Sequence, residues 1–507
     1  MDLGIDIGTS EVKVVLVDEA QRVVGQAHSA VPIARPQPLW SEQDPQDWWA
    51  ATVDALGQLR AAHPKEYAAV RGLGLSGHMH GATLLDAQDR VLRPAILWND
   101  GRSHAQCAEL ERRAPDSRRI TGNIAMPGFT APKLMWVEAH EPEVFRRTAR
   151  VLLPKDCVRL LLTGEAVSDM SDSAGTLWLD VAQRAWSDTM LDATHLKRSH
   201  MPRLVEGSEA GGTVLPAVAA RLGLPAGVIV AGGAGDNAAS AAGIGVAAPG
   251  TAFLSLGTSG VYFVANAAFS PNPARAVHAF CHAFPATWHQ MTVMLTAASA
   301  LRWLCTLTHA DSEAQLVAEA EALPPGAPVP MFLPYLSGER TPHNNPHASG
   351  VFFGLTHDHA RGHLARAVLE GVAFAFLDGQ QALIDGGARI DTVTLVGGGS
   401  RSAPWAQVLA DTLGRTLDRR SGADVGAALG AARLARLART NERVADVCTA
   451  PPVTDSFTPR AAQTERLAGR HRQFQRLYAA LGAEMRSTPG AEAGEQLQRV
   501  ALKDKPP

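Results

Sequence analysis

The chain has few of the residues and motifs that mark several protein classes. Its 507 residues include only five cysteines, which are widely separated, with no Cys-x-x-Cys pair: Cys107, Cys157, Cys281, Cys305 and Cys448. An odd, dispersed set excludes a disulfide framework and the spacing of a structural zinc site, and it predicts buried, reduced thiols. The first ten residues contain two Asp and no basic residue, unlike a secretory signal. We therefore expect a cytoplasmic enzyme.

Charge is also scarce. Charged residues make up 19% of the chain, the net charge is only -3, and residues 237–274 contain no charged residue at all. A near-neutral chain with scattered basic residues disfavours nucleic acid and anionic membranes as partners. Glycines, a proline and hydroxyl residues interrupt the uncharged stretch, so it has no clean run of about 20 strongly apolar residues. It predicts a buried helix followed by buried strands.

A hydrophobic fraction of 46% is sufficient for large cores. The length predicts about two to four domains. No Gly-x-x-x-x-Gly-Lys-Ser/Thr phosphate loop occurs, which disfavours a P-loop enzyme. The triple glycine of Gly397, Gly398 and Gly399 does not fit the Gly-x-Gly-x-x-Gly fingerprint of dehydrogenases. It follows a predicted strand and precedes a predicted helix, so it could hold a nucleotide at a helix N-terminus; alone, it is more often a tight turn.

A short motif occurs twice. Gly8, Thr9 and Ser10 follow one apolar strand and begin another, and Gly257, Thr258 and Ser259 do the same in the second half of the chain. A single such turn is most often an ordinary hairpin. Two copies near the starts of two similar halves favour an internal duplication, with turns whose N–H groups and hydroxyls could hold phosphate oxygens.

The two copies differ in one position. Asp6 precedes the first turn, where Ser255 precedes the second. A carboxylate inside an apolar strand needs a cation or hydrogen-bond donors, and Mg²⁺ carrying nucleotide phosphates would supply them, through water. The alternative is a strand-end residue with ordinary hydrogen bonds.

Two further segments carry candidate chemistry. Asp236 follows five small residues at the end of a predicted strand, where it could accept a hydroxyl proton or cap the helix predicted over 238–243. His78, Met79 and His80 lie on a loop flanked by glycines, a position where polyol-binding groups often lie. An isolated histidine is usually structural.

Two longer stretches resemble the signatures of the FGGY carbohydrate kinases: residues 128–140, and residues 350–355 followed by 363–370. The resemblance covers residues 1 to about 485. It implies an α/β, two-lobed, actin-like (ribonuclease H-like) duplicated ATPase fold with a cleft between the lobes. The N-terminal lobe, 1–247, would bind sugar and carry the catalytic base, and the C-terminal lobe, 248–486, would bind ATP. Residues 487–507 would form a flexible tail.

Within the family, four blocks are most similar to the members that phosphorylate D-xylulose: residues 39–45, 79–86, 97–102 and 335–345. The resemblance implies that Asp236 is the catalytic base and that Met79 and His80 bind the sugar. Asp6 would support Mg²⁺-ATP, and the two Gly-Thr-Ser turns and the triple glycine would hold ATP. His78 departs from the Gln expected before Met-His in the most similar members.

Alternatives remain open at this stage. Family members that act on ribulose, fuculose, gluconate or glycerol would share the fold and the ATP site. An actin-like chaperone or filament ATPase is less favoured, because the chain has no separate β-rich substrate domain. The sequence does not fix the oligomeric state, and a homodimer is kept as an expectation.

Overall fold

A computed structural model of the protein describes residues 1–324, 326–422 and 426–487. The strands are β1 (Asp2–Ile7), β2 (Glu11–Val17), β3 (Val23–Ala30), β4 (Glu42–Gln43), β5 (Gly72–Gly77), β6 (Thr83–Leu85), β7 (Ala95–Ile96), β8 (Arg150–Leu152), β9 (Val167–Asp169), β10 (Leu179–Asp180), β11 (Ala185–Trp186), β12 (Arg203–Val205), β13 (Ala210–Thr213), β14 (Ile229–Ala231), β15 (Ala234–Gly235), β16 (Thr251–Leu256), β17 (Gly260–Asn266), β18 (His278–Cys281), β19 (Trp288–Met294), β20 (Met331–Leu333), β21 (Val351–Phe353), β22 (Thr392–Val396), β23 (Leu417–Arg420) and β24 (Val453–Phe457).

The helices are α1 (Pro45–Ala62), α2 (Pro64–Tyr67), α3 (His104–Arg113), α4 (Ser117–Thr121), α5 (Thr130–His140), α6 (Pro142–Arg147), α7 (Pro154–Thr163), α8 (Met170–Ala174), α9 (Asp188–Asp192), α10 (Pro216–Leu222), α11 (Asp236–Gly243), α12 (Ala298–Leu307), α13 (Glu313–Glu321), α14 (Arg361–Asp385), α15 (Ala403–Leu413), α16 (Gly426–Thr440), α17 (Val444–Val447) and α18 (Ala461–Ser487).

The described residues contain two large sheets with the same internal plan. The first has the order β13-β14-β5-β1-β2-β3, with β15 also paired to β5, and the second has the order β18-β19-β17-β16-β22-β23-β24. In each, a central hairpin (β1–β2 or β16–β17) lies beside a parallel strand (β5 or β22), then a second parallel strand, then an antiparallel one. Strand order and direction therefore confirm the predicted duplication.

The repeated hairpins differ slightly in length. In the first, Ile7 pairs with Val12 across the turn, whereas in the second Leu256 pairs with Gly260. The second turn is thus one residue tighter, although both begin with Gly-Thr-Ser. Asp6 pairs with Ser76 on the neighbouring parallel strand, and Ser255 pairs with Val396 in the corresponding place.

The uncharged stretch folds as predicted. It contains α11, β16 and β17, most of whose residues are buried. Among the described residues, one helix, α14, is long and apolar enough to cross a bilayer, but 83% of its most apolar window is buried inside the protein, as in a core helix. All five cysteines are free, and four are buried.

Several predicted helix boundaries are close to the observed ones. The Asp44 side chain accepts a hydrogen bond from the Gln46 backbone N–H at 2.9 Å and caps α1, with Pro45 in the first turn. The alanine-rich run 425–435 also predicts a helix, and α16 covers it from Gly426 onward, whereas Val425 lies outside the described residues. Of the predicted tail, only Ser487 is described, as the last residue of α18.

Helix α16 joins the two halves of the molecule. It lies across the first sheet, against β1 and β5, and crosses α11. The crossing is so close that a Cβ on Gly430 would lie 1.8 Å from the Ala239 carbonyl oxygen, and one on Gly243 would lie 1.9 Å from that of Gly426. Only glycine permits this backbone contact.

Candidate active site

Asp6 lies at the end of β1 with one carboxylate oxygen left without a partner. Its Oδ1 is buried and makes no hydrogen bond to any described residue. Burial raises the pKa of Asp6, whereas the nearby Ser76 side chain and the charge of Lys13 oppose the rise. Asp6 and Lys13 line a cavity of about 360 Å³, together with Asn237, Ser255 and Gly397. Asp6 thus borders a space lined by residues of both halves.

Asp236 lies beside Asp6 because of the sheet register. Ala234 pairs with Ser76, which in turn pairs with Asp6, and Asp236 follows β15 directly. It is the first residue of α11, whose N-cap is Gly235, so the prediction that Asp236 caps this helix is wrong. The helix starts earlier than predicted, and the aspartate occupies its first turn.

The Asp236 carboxylate has an environment suited to proton transfer. Its Oδ1 accepts hydrogen bonds from the backbone N–H and the side-chain amide of Asn237, at 2.7 and 2.9 Å. Burial, and then the negative charge of Asp6, raise its pKa to about 6 in spite of these bonds. Such a group is mostly ionised at pH 7 yet is a stronger base than an ordinary carboxylate.

Met79 packs directly against the segment that carries Asp236. A Cβ on Gly235 would lie only 2.8 Å from Met79 Cγ, and one on Gly175 would lie 2.6 Å from His80 Cε1. Met79 is buried, whereas His80 is partly exposed. The predicted sugar-binding pair and the predicted base therefore lie in one region.

His80 is held rigidly. Its Nδ1 lies 2.6 Å from the Gly175 carbonyl oxygen, and its own carbonyl oxygen accepts hydrogen bonds from Lys133 Nζ at 2.8 Å and Thr130 Oγ1 at 3.2 Å. Burial, helped by the charge of Lys133, lowers the pKa of His80 to about 3, so its imidazole is neutral. Because Nδ1–H donates to the Gly175 carbonyl, Nε2 of the neutral ring can accept a hydrogen bond from a sugar hydroxyl.

His78 lies beneath the pair. It is buried against Trp48, with ring centroids 5.5 Å apart, and neither ring nitrogen has a hydrogen-bond partner among the described residues. Burial lowers its pKa to about 3. The buried, neutral imidazole of His78 supports the loop that carries Met79 and His80.

The first Gly-Thr-Ser turn lines neither the 360 Å³ cavity nor the larger cavity beside the second turn. Gly8 N–H donates to the Glu11 carbonyl oxygen at 3.0 Å, which closes the turn. Trp98 Nε1 donates to Thr9 Oγ1 at 3.0 Å, and Ser10 is exposed. The Thr9 hydroxyl thus already has one partner but keeps its own proton to donate.

The second turn and the triple glycine do meet. Gly257, Thr258, Gly398 and Gly399 line a cavity of about 840 Å³, together with residues of α12, α13 and α15. Gly397 has φ +89°, and a Cβ there would lie 2.8 Å from the Leu256 carbonyl carbon. This close approach places the glycine loop against the second turn. Ser259 is exposed and does not line this cavity.

Some residues of the site were not singled out from the sequence. Lys133, buried on α5, fixes the His80 carbonyl, and burial lowers its pKa to about 7. Ser76 lies between the two aspartates, and Asn237 holds Asp236. Asn237 is adjacent to Asp236, Ser76 lies two residues before His78, and Lys133 lies within the stretch 128–140. What each of them contacts depends on tertiary packing.

The site offers one place for a hard cation. No cluster of three or more His, Cys, Asp or Glu side chains that could hold a metal occurs among the described residues. Asp6 lines the 360 Å³ cavity and has an unpartnered Oδ1, which is compatible with a hydrated divalent cation that is also bound by phosphate oxygens.

Comparisons with known proteins agree with this geometry. Residues 1–243 match the N-terminal domain, and residues 252–439 the C-terminal domain, of the FGGY family of carbohydrate kinases. A xylulose kinase of Escherichia coli is 54% identical over 94% of this chain and 98% of its own length. A solved kinase of Brucella ovis, described as a xyloylose kinase, superposes with a TM-score of 0.93 at 53% identity and covers 95% of this chain and 99% of its own. A solved xylulose kinase of Rhodospirillum rubrum gives a TM-score of 0.90 at 33% identity, covering 96% of this chain and 99% of its own. The match of both domain families over most of the length, together with the duplicated sheets around one cleft, means that the chain belongs to the FGGY family of carbohydrate kinases.

Proposed function

We propose that the protein phosphorylates the 5-hydroxyl of D-xylulose with ATP, giving D-xylulose 5-phosphate and ADP. The observation that carries this proposal is the position of Asp236. Its carboxylate follows Gly235, which packs on Met79, and its neighbour Asn237 lines the same cavity as Asp6 and Gly397. The base thus lies between the predicted sugar pair and the glycine loop. Extensive identity to xylulose kinases supports the choice of sugar.

The chemistry follows from these positions. Met79 and His80 hold the sugar so that its terminal hydroxyl reaches Asp236. Asp236 takes the hydroxyl proton as the oxygen attacks the γ-phosphorus, and ADP leaves. Phosphoryl transfer leaves little covalent work to the protein, so positioning and charge stabilisation provide most of the rate.

The nucleotide side is formed by backbone. Gly257, Thr258, Gly398 and Gly399 line the large cavity, where N–H groups and a hydroxyl can contact phosphate oxygens. Arg302 and Arg401 line the same cavity. Gly8, Thr9 and Ser10 would approach the terminal phosphate from the other half. Mg²⁺, held by Asp6 through water, would neutralise charge on the phosphates.

We also propose the division into lobes. Residues 1–247 would form the sugar-binding lobe, 248–486 the ATP-binding lobe, and 487–507 a flexible tail. Because α16 lies on the first sheet, the lobes would share this helix at their junction. A cytoplasmic location and a homodimer stay predictions.

A substrate panel tests the function. ADP release would be measured with D-xylulose, D- and L-ribulose, fuculose, gluconate and glycerol, with and without Mg²⁺. The highest kcat/KM is expected with D-xylulose, and no turnover is expected without the cation. Preference for another polyol would overturn the assignment of the sugar. ATP hydrolysis stimulated by unfolded peptide and not by any sugar would instead support an actin-like chaperone.

A further inference from the structure

A network of fully buried charges lies behind the site and has no part in the mechanism above. Lys155 Nζ lies 2.6 Å from Asp156 Oδ1, 2.7 Å from Asp169 Oδ2 and 3.1 Å from Asp172 Oδ2, and all four side chains are inaccessible to solvent. Arg159, equally inaccessible, lies one helical turn from Asp156 on α7. Burying five charged groups is costly, and apolar packing would stabilise the fold at least as well. The network therefore calls for a purpose other than stability.

Arg159 of this network binds the backbone that precedes Asp236. Arg159 donates from Nη1 to the Ala231 carbonyl oxygen and from Nη2 to that of Gly232, both at 2.5 Å. These two carbonyls lie at the end of β14, immediately before the short connection to β15. The planar guanidinium holds both at once, which a lysine could not do.

Ser171 binds the same segment at Gly235, closer to Asp236. Gly235 N–H donates to Ser171 Oγ at 3.1 Å, and Ser171 Oγ–H donates to Asp169 Oδ1 at 2.5 Å. Asp169 in turn pairs with Lys155. Gly235 is the N-cap of α11, so its position fixes where Asp236 begins the helix.

Arg159 and Ser171 belong to one continuous set, which we call the anchor network: Lys155, Asp156, Arg159, Asp169 and Ser171. Between them they fix the backbone at residues 231, 232 and 235, within five residues of Asp236. None of the five side chains touches the inner cavity, so they act only through the main chain.

We propose that the anchor network is a positioning device for Asp236, acting through Arg159 and Ser171. This inference rests on the proposed role of Asp236 as base. A short segment rich in glycine and alanine has little side-chain packing of its own to hold it. The hydrogen bonds made by Arg159 and Ser171 compensate for this lack of packing. They keep the Asp236 carboxylate close to the sugar hydroxyl and to Asp6.

The test compares two serines on one short helix. Ser171→Ala removes the acceptor for Gly235 N–H. Ser173→Ala is the matched control, because Ser173 is also buried on α8 but its hydroxyl donates to Ser168 Oγ at 2.9 Å, away from the anchored segment. For each variant, kcat, the KM for D-xylulose, the pH profile of kcat and the melting temperature would be measured.

The expected result is a split between the two variants. Ser171→Ala lowers kcat roughly tenfold, since a misplaced reacting group can cost up to about 10²-fold, and it leaves the KM for D-xylulose nearly unchanged. It also moves the acid limb of the pH profile, because the surroundings of Asp236 change. Ser173→Ala lowers the melting temperature comparably but moves neither kcat nor the pH profile. Ser171→Thr, which keeps the hydroxyl, restores most of the rate.

Two results would overturn the inference. Equal kcat values in the two alanine variants would show that Ser171 does no more than any buried serine. A tenfold loss in Ser171→Ala that Ser171→Thr fails to restore, with an unmoved pH profile, would indicate general loosening. Asp236→Asn separates the two hypotheses: if it keeps wild-type turnover, the proposed base is wrong, whereas an inactive Asp236→Asn beside indistinguishable serine variants rejects the anchor network alone.

Discussion

The same place in the two sheets carries opposite chemistry. In the first sheet, β5 lies beside the hairpin strand β1 and is followed by His78, Met79 and His80, all large side chains. In the second sheet, β22 lies beside β16 in the same relation and is followed by three glycines. One loop fills space with the side chains that we propose bind the sugar, and the other leaves space open where we propose that the nucleotide binds.

The hairpin strands show a second contrast. Asp6 and Ser255 occupy corresponding positions, but only Asp6 brings charge, and it raises the pKa of Asp236 across the first sheet. The duplication thus provides a symmetric backbone, and a few substitutions make one half suited to acid–base chemistry and the other to neutral backbone recognition. Substitutions at these positions and at neighbouring residues would test this asymmetry.

The largest effect is expected at Asp236. Asp236→Asn keeps the size and the hydrogen bonds from Asn237 but removes the base. We expect kcat to fall at least about a hundredfold, the usual contribution of a general base, with little change in the KM for D-xylulose. Steady-state assays would measure both. The exposed Asp391→Asn is the control, and near-normal turnover of Asp236→Asn would exclude its role.

Asp6→Asn should have the next largest effect, and Ser255→Ala should have almost none. Asp6→Asn is expected to lower kcat roughly tenfold and to raise the Mg²⁺ concentration needed for half-maximal rate, on the scale of an outer ligand. Without the repulsion from Asp6, the pKa of Asp236 falls below about 6, so the acid limb of the pH–rate profile moves to lower pH. An unmoved limb, or equal effects of the two variants, would contradict the contrast between the hairpins.

The glycine loop should affect ATP and not sugar. Gly397→Ala forces a Cβ against Leu256 at a residue with φ +89°, a strain of about 1–3 kcal/mol. We expect the KM for ATP to rise roughly tenfold, about 1.4 kcal/mol of binding, with an unchanged KM for D-xylulose. Gly354→Ala is the matched control, since Gly354 has φ +83° but open space around it. A change in both variants would show that backbone strain alone is responsible.

The smallest effect on catalysis is expected at His78. Burial lowers its pKa from 6.5 to about 3. Below pH 6.5, His78 therefore binds a proton in the unfolded chain but not in the folded protein. Stability is therefore lost as pH falls, by about 1.4 kcal/mol per unit for this group. From pH 7 to pH 5, His78→Gln should lose about 2 kcal/mol less than wild type in urea unfolding. Its kcat should stay close to wild type, and parallel stability curves would disprove the burial effect.

Local pattern predicted much of the fold. The Gly-Thr-Ser turns, the strand of Asp6 and the glycine loop were recognisable because the turn residues and their flanking apolar runs are adjacent in sequence. The duplication was visible for the same reason. Asp236 was found as a candidate, but its helix position was wrong, because α11 begins two residues earlier than its apolar pattern indicates.

What the sequence could not predict depends on long-range contacts. Lys133 reaches the His80 carbonyl from 53 residues away, and Arg159 reaches Ala231 from 72 residues away. Neither leaves a local signal, since a Lys or Arg on an amphipathic helix usually predicts an exposed position. That one cavity brings together Asp6, Ser255 and Gly397 was likewise a matter of tertiary arrangement.

Helices α11 and α16 cross at the closest spacing that glycine permits between two backbones. At Gly430 and Gly243, only the hydrogens on the α-carbons separate the two backbones. Helix α11 begins at Asp236, and α16 lies against β1, the strand that contains Asp6. A single methyl group at this crossing would push the two helices apart. It would separate the two aspartates without touching either of them, and one substitution far from both substrates would then disturb the affinity for sugar and for nucleotide together.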